Sequence, residues 1–264
     1  MRLAPLMFVG HGSPMFALGA DIDIQRQATD NLTNQIAQFD DVEAILVISP
    51  HWLTYGNVVL TNEHPETIYD FGGFPSELYQ LKYPALGSRI AAKKIIDLLN
   101  TDGFETTVDN ERGWDHGVWV PLRHLRPQAD KPIVQLSLNV NLSVDELEKL
   151  GITLKQLRKQ GIAVICSGSV THNLHDLRMS HERVADYAHN FERWVRRIAF
   201  EGNVTDAKQP HIKSAHYAKS HPTSEHYLPL IVALAAIDDA DRFGVLESPI
   251  LHHSISMESY VWSQ

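Results

Sequence analysis

The sequence predicts one α/β domain with a mostly parallel central sheet covered by helices on both faces. Three observations carry that expectation. Continuously apolar, β-branched runs such as Ala44 to Ser49 and Ile162 to Ser167 have the pattern of strands buried on both sides. Between such runs lie segments whose apolar residues recur at three- and four-residue intervals, the period of an amphipathic helix. No repeat, low-complexity stretch or linker interrupts the 264 residues, so the domain is taken to run over 1–264.

The elements follow in order. Leu6 to Val9 is a buried strand stopped by the tight turn Gly10-His11-Gly12-Ser13-Pro14. From Ile22 to Phe39 the residues Ile24, Ala28, Leu32 and Ile36 line one helix face. Ala44 to Ser49 is the second strand, exiting through Pro50-His51-Trp52. Thr54 to Gly87, with glycines and prolines among aromatics, is a long ordered loop with a short strand near Val58 to Leu60, and such loops are often functional. Ser88 caps a helix through Asn100, with Ile90, Ile95, Leu98 or Leu99 and the stem of Lys94 turned inward. Thr106 to Asp109 is extended, and Gly113-Trp114-Asp115-His116-Gly117 is a polar turn.

Ile133 to Leu138 is another strand. Ser143-x-x-Glu146 is a capping box that opens a helix bearing Leu147, Leu150, Leu154 and Leu157, and Gly161 closes it. Ile162 to Ser167 then exits through Gly168-Ser169-Val170-Thr171-His172-Asn173. Phe191, Trp194, Val195 and Ile198 mark a helix over Tyr187 to Phe200. The last helix opens at Thr223 or Ser224 and meets Pro229, which either kinks it or stands at its start; His226 is near a helix N-terminus in both cases. Ser254 to Trp262 is a closing strand.

Composition narrows the function. A formal charge of −9 and a pI near 5.9 argue against a nucleic-acid binder, whose footprint is basic. The apolar runs fall short of the roughly 20 residues that span a bilayer, and the N-terminal stretch lacks an export signal, so a cytoplasmic location is expected. The single cysteine, Cys166, excludes an internal disulfide and a thiolate cluster, and reads as a buried apolar residue.

Fifteen histidines are the unusual feature. In open α/β sheets the functional crevice lies outside the carboxyl ends of the strands, and His11, His51 and His172 each fall just past such an end. One of them alone reads as a turn residue bonded to backbone; three at strand exits point to a metal site. His116 reads equally as a loop histidine or a site residue, and Asp115 beside it need not orient it, since neighbours on an extended chain point apart. His64, His124, His175, His181, His189, His211, His216, His221, His252 and His253 read as surface or packing residues. Trp52 and the segment Asp70 to Pro75 read first as structural, with pocket lining as the alternative.

Six motifs in order, Gly10-His11-Gly12-Ser13-Pro14, Ser49-Pro50-His51-Trp52, Asp70-Phe71-Gly72-Gly73-Phe74-Pro75, Gly113 to Gly117, Ser167 to Asn173 and Glu225-His226-Tyr227-Leu228-Pro229-Leu230, give a chain that closely resembles the class III (LigB-type) extradiol ring-cleavage dioxygenases, in their 4,5-DOPA branch. The resemblance covers nearly the whole chain. It implies a non-haem Fe(II) enzyme that opens a catechol ring beside its hydroxyls using O₂. It implies His11, His51 and His226 as metal ligands, with Glu225 the fallback for the third. His172 is implied as the acid/base group and as a further ligand when substrate is absent, and His116 as the group that positions substrate. Zn(II), higher in the affinity order, is expected to occupy the same site without supporting the redox step. Two other readings stay open on the residues alone: a zinc hydrolase on the same histidines, and a binding module that keeps the fold. A serine hydrolase is disfavoured because Ser13 and Ser169 lack a Gly-x-Ser-x-Gly elbow.

Overall fold

The computed structural model describes residues 3–18, 23–178 and 183–264. Its strands are β1 Leu6–Gly10, β2 Ala44–Thr54, β3 Asn57–Leu60, β4 Thr106–Asp109, β5 Ile133–Asn139, β6 Ile162–Gly168, β7 Arg242–Leu246, β8 Ile250–Leu251, β9 Ile255–Ser256 and β10 Ser259–Ser263. Its helices are α1 Asp23–Thr33, α2 Arg89–Thr101, α3 His116–Leu125, α4 Val144–Arg158, α5 Asp186–Glu201, α6 Val204–Ala207, α7 Pro210–Lys213, α8 Tyr217–Ser220 and α9 Leu228–Ala235. Eight strands form one sheet in the order β4-β3-β5-β2-β6-β1-β10-β7. Its centre, β5-β2-β6-β1, is parallel throughout. Of the expected closing strand over Ser254 to Trp262, the part from Ser259 joins the main sheet as β10, while Ile255–Ser256 pairs with β8 apart from it; β10 runs antiparallel to β1 and β7, so that edge of the sheet is mixed.

The two-residue period of the strands sorts the core into two layers. Leu6 and Phe8, Leu46 and Ile48, and Val164 and Cys166 face one layer with Ile95, Leu147, Phe191 and Ile231 of α2, α4, α5 and α9. Met7 and Val9, Ile45 and Val47, and Ala163 and Ile165 face the other, where Ala28 and Leu32 of α1 and Val118 and Leu122 of α3 cover them. Both faces are therefore apolar, which is why these runs show no polar alternation. The capping box of α4 forms as expected, with Ser143 and Glu146 each accepting the other's backbone N–H, and Ser88 caps α2 through Ala91 N.

Four local expectations need correction. Ile90 is 75% exposed: α2 turns Ala91, Ala92, Ile95 and Leu99 inward, and Ile90 lies off that face. The turn at Gly113 to Gly117 leads directly into α3, which periodicity did not show because Pro121 sits inside it. Proline cannot donate to the carbonyl four residues back, that of Gly117, and the Ser167 hydroxyl donates to that oxygen instead at 2.6 Å. The last helix starts at Leu228 with Pro229 in its first turn, so the proline opens the helix and does not kink it. The strand through Ser49 does not end at Pro50. Its pairing with β5 jumps from Ser49–Ser137 to Leu53–Leu138, so Pro50, His51 and Trp52 arch out of the sheet before β2 resumes. Pro50 has no N–H to give the ladder, which favours such an arch. Ile22, the side chain of Ile24 and His181 lie outside the described residues. Among the described residues no helix is long and apolar enough to cross a membrane.

Candidate metal centre

Each histidine at the site is held by backbone geometry that its neighbours enforce. His11 follows β1, and its N–H donates to Gly168 O at 3.1 Å, extending the β1–β6 pairing past the strand. His51 sits on the arch of β2, where its N–H donates to Ser49 Oγ at 3.2 Å and its carbonyl accepts from the Arg112 guanidinium at 3.0 Å. Asp115, fully buried, accepts from Ser49 Oγ and from Gln135 Nε2, each at 2.6 Å, and so steadies the arch; the carboxylate that takes the His116 ring Nδ1 is Asp70. His116 is the first residue of α3. A Cβ at Gly117 would stand 2.3 Å from Ser49 Oγ and 3.0 Å from the His51 ring, so only glycine lets α3 approach the arch. His172 N donates to Ser220 O at 2.8 Å, and His226 O accepts from Ser169 N at 3.1 Å, which locks the β6 exit against the turn before α9.

These elements bring all five predicted histidines to the carboxyl end of the parallel strands. The ring centroids of His11, His51 and His226 form a nearly equilateral triangle with sides of 4.9, 5.1 and 5.2 Å. His116 lies 3.8 Å from His51, and His172 stacks on His226 at 3.5 Å. Among the described residues two groups place their potential ligand atoms within 4.8 Å of one another, His11, His51 and His116, and His172, Glu225 and His226, so the sequence-derived trio draws on both. All lie on a cleft of about 620 Å³ whose walls include Pro14, Pro50, Phe71, Phe74 and Pro222.

The outer nitrogens fix how the rings present themselves. His11 Nδ1 is 2.8 Å from Gly12 O, an acceptor only, so Nδ1 carries the proton and Nε2 presents a lone pair. His116 Nδ1 donates to Asp70 Oδ2 at 2.9 Å, and His226 Nδ1 donates to Glu225 Oε1 at 3.0 Å. Carboxylates and carbonyls behind histidines in this way are the usual support of a metal site. The fallback ligand Glu225 thus lies on the outer nitrogen of His226, held also by Thr223 Oγ1 at 2.9 Å.

Electrostatics keep His11, His51, His172 and His226 neutral. Burial, reinforced by His51 and His116, holds His11 well below the usual histidine range; burial and the neighbouring His172 and His11 do the same for His226. Burial and His116 lower His51 to about 3 and His172 to about 4. Burial would raise the Asp70 carboxyl, but its hydrogen bonds from the His116 ring and backbone outweigh it and hold the group low.

The arrangement fits a divalent cation. His226 Nε2 is buried with no hydrogen-bond partner, a cost that a bound ion would remove. His11 Nε2 and His51 Nε2 stand 3.3 Å apart. Two imidazole nitrogens on one ion at about 2.1 Å are separated by roughly 3.0–3.4 Å.

The sequence reading missed Asp70 as a partner of His116, and it gave the edge to a structural role for a segment whose Phe71 and Phe74 line the cleft. His175, read as a surface or packing residue, also lines the cleft. Trp52 is buried beneath Arg112, with the guanidinium 5.1 Å from the ring, and is structural.

Residues 5–261 match the family described as the catalytic LigB subunit of aromatic ring-opening dioxygenase. Among characterised relatives, the 4,5-DOPA dioxygenase extradiol of Beta vulgaris is 36% identical over 242 residues, covering 91% of this chain and 90% of the relative. The enzyme of the same name from Escherichia coli K12 is 36% identical over 262 residues, covering 97% and 93%. A crystal structure of an uncharacterized Escherichia coli K12 protein superposes with a TM-score of 0.80 at 30% identity, covering 98% of this chain and 99% of that one.

Proposed function

We propose, from the premise that this chain belongs to the LigB family of aromatic ring-opening dioxygenases, that its histidine cleft binds Fe(II) and opens a DOPA-like catechol with O₂. The chain is an extradiol ring-opening dioxygenase. That membership sets aside the hydrolase and binding-module readings. In this reading the whole of 1–264 is one catalytic domain. His11, His51 and His226 hold the metal through nitrogens that burial keeps free of protons, and the triangle of their rings is the observation that carries the assignment. Glu225 orients His226 from behind and is not the third ligand. Bound there, Fe(II) supplies the redox chemistry that joins O₂ to the ring, which Zn(II) in the same site does not.

The remaining steps belong to side chains. His172, lowered to about 4, is an unprotonated base at neutral pH and takes the proton of a catechol hydroxyl, then returns a proton as the ring opens. With Nδ1 engaged by Asp70, His116 presents Nε2 as an acceptor that positions the second hydroxyl. Phe71 and Phe74 give the aromatic ring an apolar wall that keeps water from the reacting carbons. His172 stacks on His226, which also suits it to bind the metal when substrate is absent.

The test is anaerobic loading with Fe(II) followed by O₂ and a panel of catechols that includes DOPA. A coloured ring-opened semialdehyde is expected with Fe(II) and not with Zn(II). Iron shown to be bound, with no product across the panel, refutes the reading.

A further inference from the structure

Beside the cleft lies a small chamber that the reaction as described leaves unused. Beside His172, a space of about 80 Å³ is lined mainly by Leu174, Leu177, Leu251 and Ile255, with His252 as a further polar side chain on its wall. It shares Gly12, Ser13, His172, Leu174 and Leu177 with the main cleft, so the two adjoin across those residues. Large apolar side chains also crowd the rim: Leu53, Leu174 and Leu177 are 47%, 58% and 41% exposed. Apolar surface clustered at the mouth of a cleft marks what that cleft receives.

Charge points the same way. Among the described residues, neither the cleft nor the chamber is lined by a lysine or an arginine, and Glu225 is the acidic side chain on the wall. Cations near this end of the molecule are committed elsewhere. Arg178 pairs with Asp176 at 3.5 Å, Lys219 lies 4.5 Å over the Tyr187 ring, and Arg112 serves His51 and Asp115. A carboxylate placed in the chamber itself would be desolvated against three leucines and an isoleucine, with only the Ser13 hydroxyl and the imidazoles of His172 and His252 as polar side chains beside it, which is unfavourable. An alkyl group gains about fourfold in binding for each methylene it buries.

We propose that this enzyme selects catechols whose ring substituent is uncharged and apolar, and that the leucine-lined chamber beside His172 receives that substituent. The proposal rests on the extradiol opening of a catechol argued above and departs from that reading in one respect: the favoured ring substituent is apolar and not the amino-acid side chain of DOPA.

The experiment compares catechol, 4-propylcatechol, 3-(3,4-dihydroxyphenyl)propionate and DOPA. Calorimetric binding is measured on metal-free and Zn(II)-loaded protein, and kcat/KM on the Fe(II) enzyme. We expect 4-propylcatechol to bind about tenfold more tightly than catechol, and both carboxylates to bind no more tightly than catechol. Leu251→Phe, which fills the chamber, should bring the propylcatechol-to-catechol ratio toward one. Leu177→Arg, at an exposed position that tolerates a long side chain, should shift preference toward the propionate by about tenfold. Binding of either carboxylate as tight as or tighter than that of 4-propylcatechol, no measurable propylcatechol binding, or an unchanged ratio in Leu251→Phe would overturn the proposal. Absence of turnover on every catechol, with the binding order as expected, would count against the dioxygenase chemistry and leave the chamber's role standing.

Discussion

Asp70 serves one residue twice. Its Oδ1 accepts the backbone N–H of His116 and its Oδ2 the ring Nδ1–H, both at 2.9 Å, so a single carboxylate anchors the start of α3 and sets the tautomer of the histidine it carries. Replacing it with asparagine separates these roles. The amide oxygen keeps the backbone bond, and the NH₂ group then faces Nδ1, where it can only donate. His116 must move its proton to Nε2 and would offer the substrate a donor in place of an acceptor. Asp70→Asn should therefore lower kcat by about 10–100-fold, the usual cost of losing an orienting partner, with little change in melting temperature. A nitrogen-15 spectrum of the ring checks it: an unchanged His116 tautomer would show that Asp70 acts otherwise. The five site histidines were legible because strand exits and ordered motifs are local in sequence. Asp70 was not, because its contact with His116 spans 46 residues and depends on the path of an irregular loop.

At the scale of elements, α4 and α9 pack so closely that one position has no room for a side chain. A Cβ on Gly151 would stand 2.4 Å from Val232 O and 2.6 Å from the Ala235 methyl. In an exposed helix, glycine to alanine gains about 1 kcal/mol. Here the gain is outweighed by displacement of the α9 backbone, and Gly151→Ala should destabilise by about 1–3 kcal/mol. Urea unfolding measures it, and a stabilised variant would mean that the helices separate freely. The same packing explains what the sequence showed of these helices. The leucines and capping box of α4 are local signals, and the structure reproduces them. By contrast, α3 carries Pro121 and relies on Ser167 from another strand to satisfy Gly117, and the β2 arch relies on Asp115, Gln135 and Arg112, so neither has a signature within its own window.

For the whole molecule, stability should depend on pH through buried groups that pull in opposite directions. His221, buried against Phe191 and Tyr227, is lowered by burial to about 3. Its folded value lies below its unfolded one, so it contributes stability that is present above pH 6.5 and is lost as the pH falls toward 3. Glu192 on α5 is raised by burial, and then by the nearby Glu258, from 4.5 to about 7. Its contribution is present below pH 4.5 and is lost as the pH rises through 7, an effect of about 3 kcal/mol at most. In Glu192→Gln the amide cannot titrate and its oxygen can still accept the Ser256 hydroxyl, which lies 2.6 Å from Glu192 Oε2. Urea denaturation of the metal-free protein should therefore show parent and variant within about 0.5 kcal/mol at pH 4.5 and the variant more stable, by up to about 3 kcal/mol, at pH 8. Because Ser256 N also donates to Thr171 O at 3.3 Å, this carboxyl sits behind the segment that carries His172, and the same window should govern how firmly that segment is held. Hydrogen exchange at the amides of Thr171 and His172, faster in the parent than in Glu192→Gln at pH 8 and equal at pH 4.5, would confirm the link; identical exchange at both pH values would show that the carboxyl acts on global stability alone.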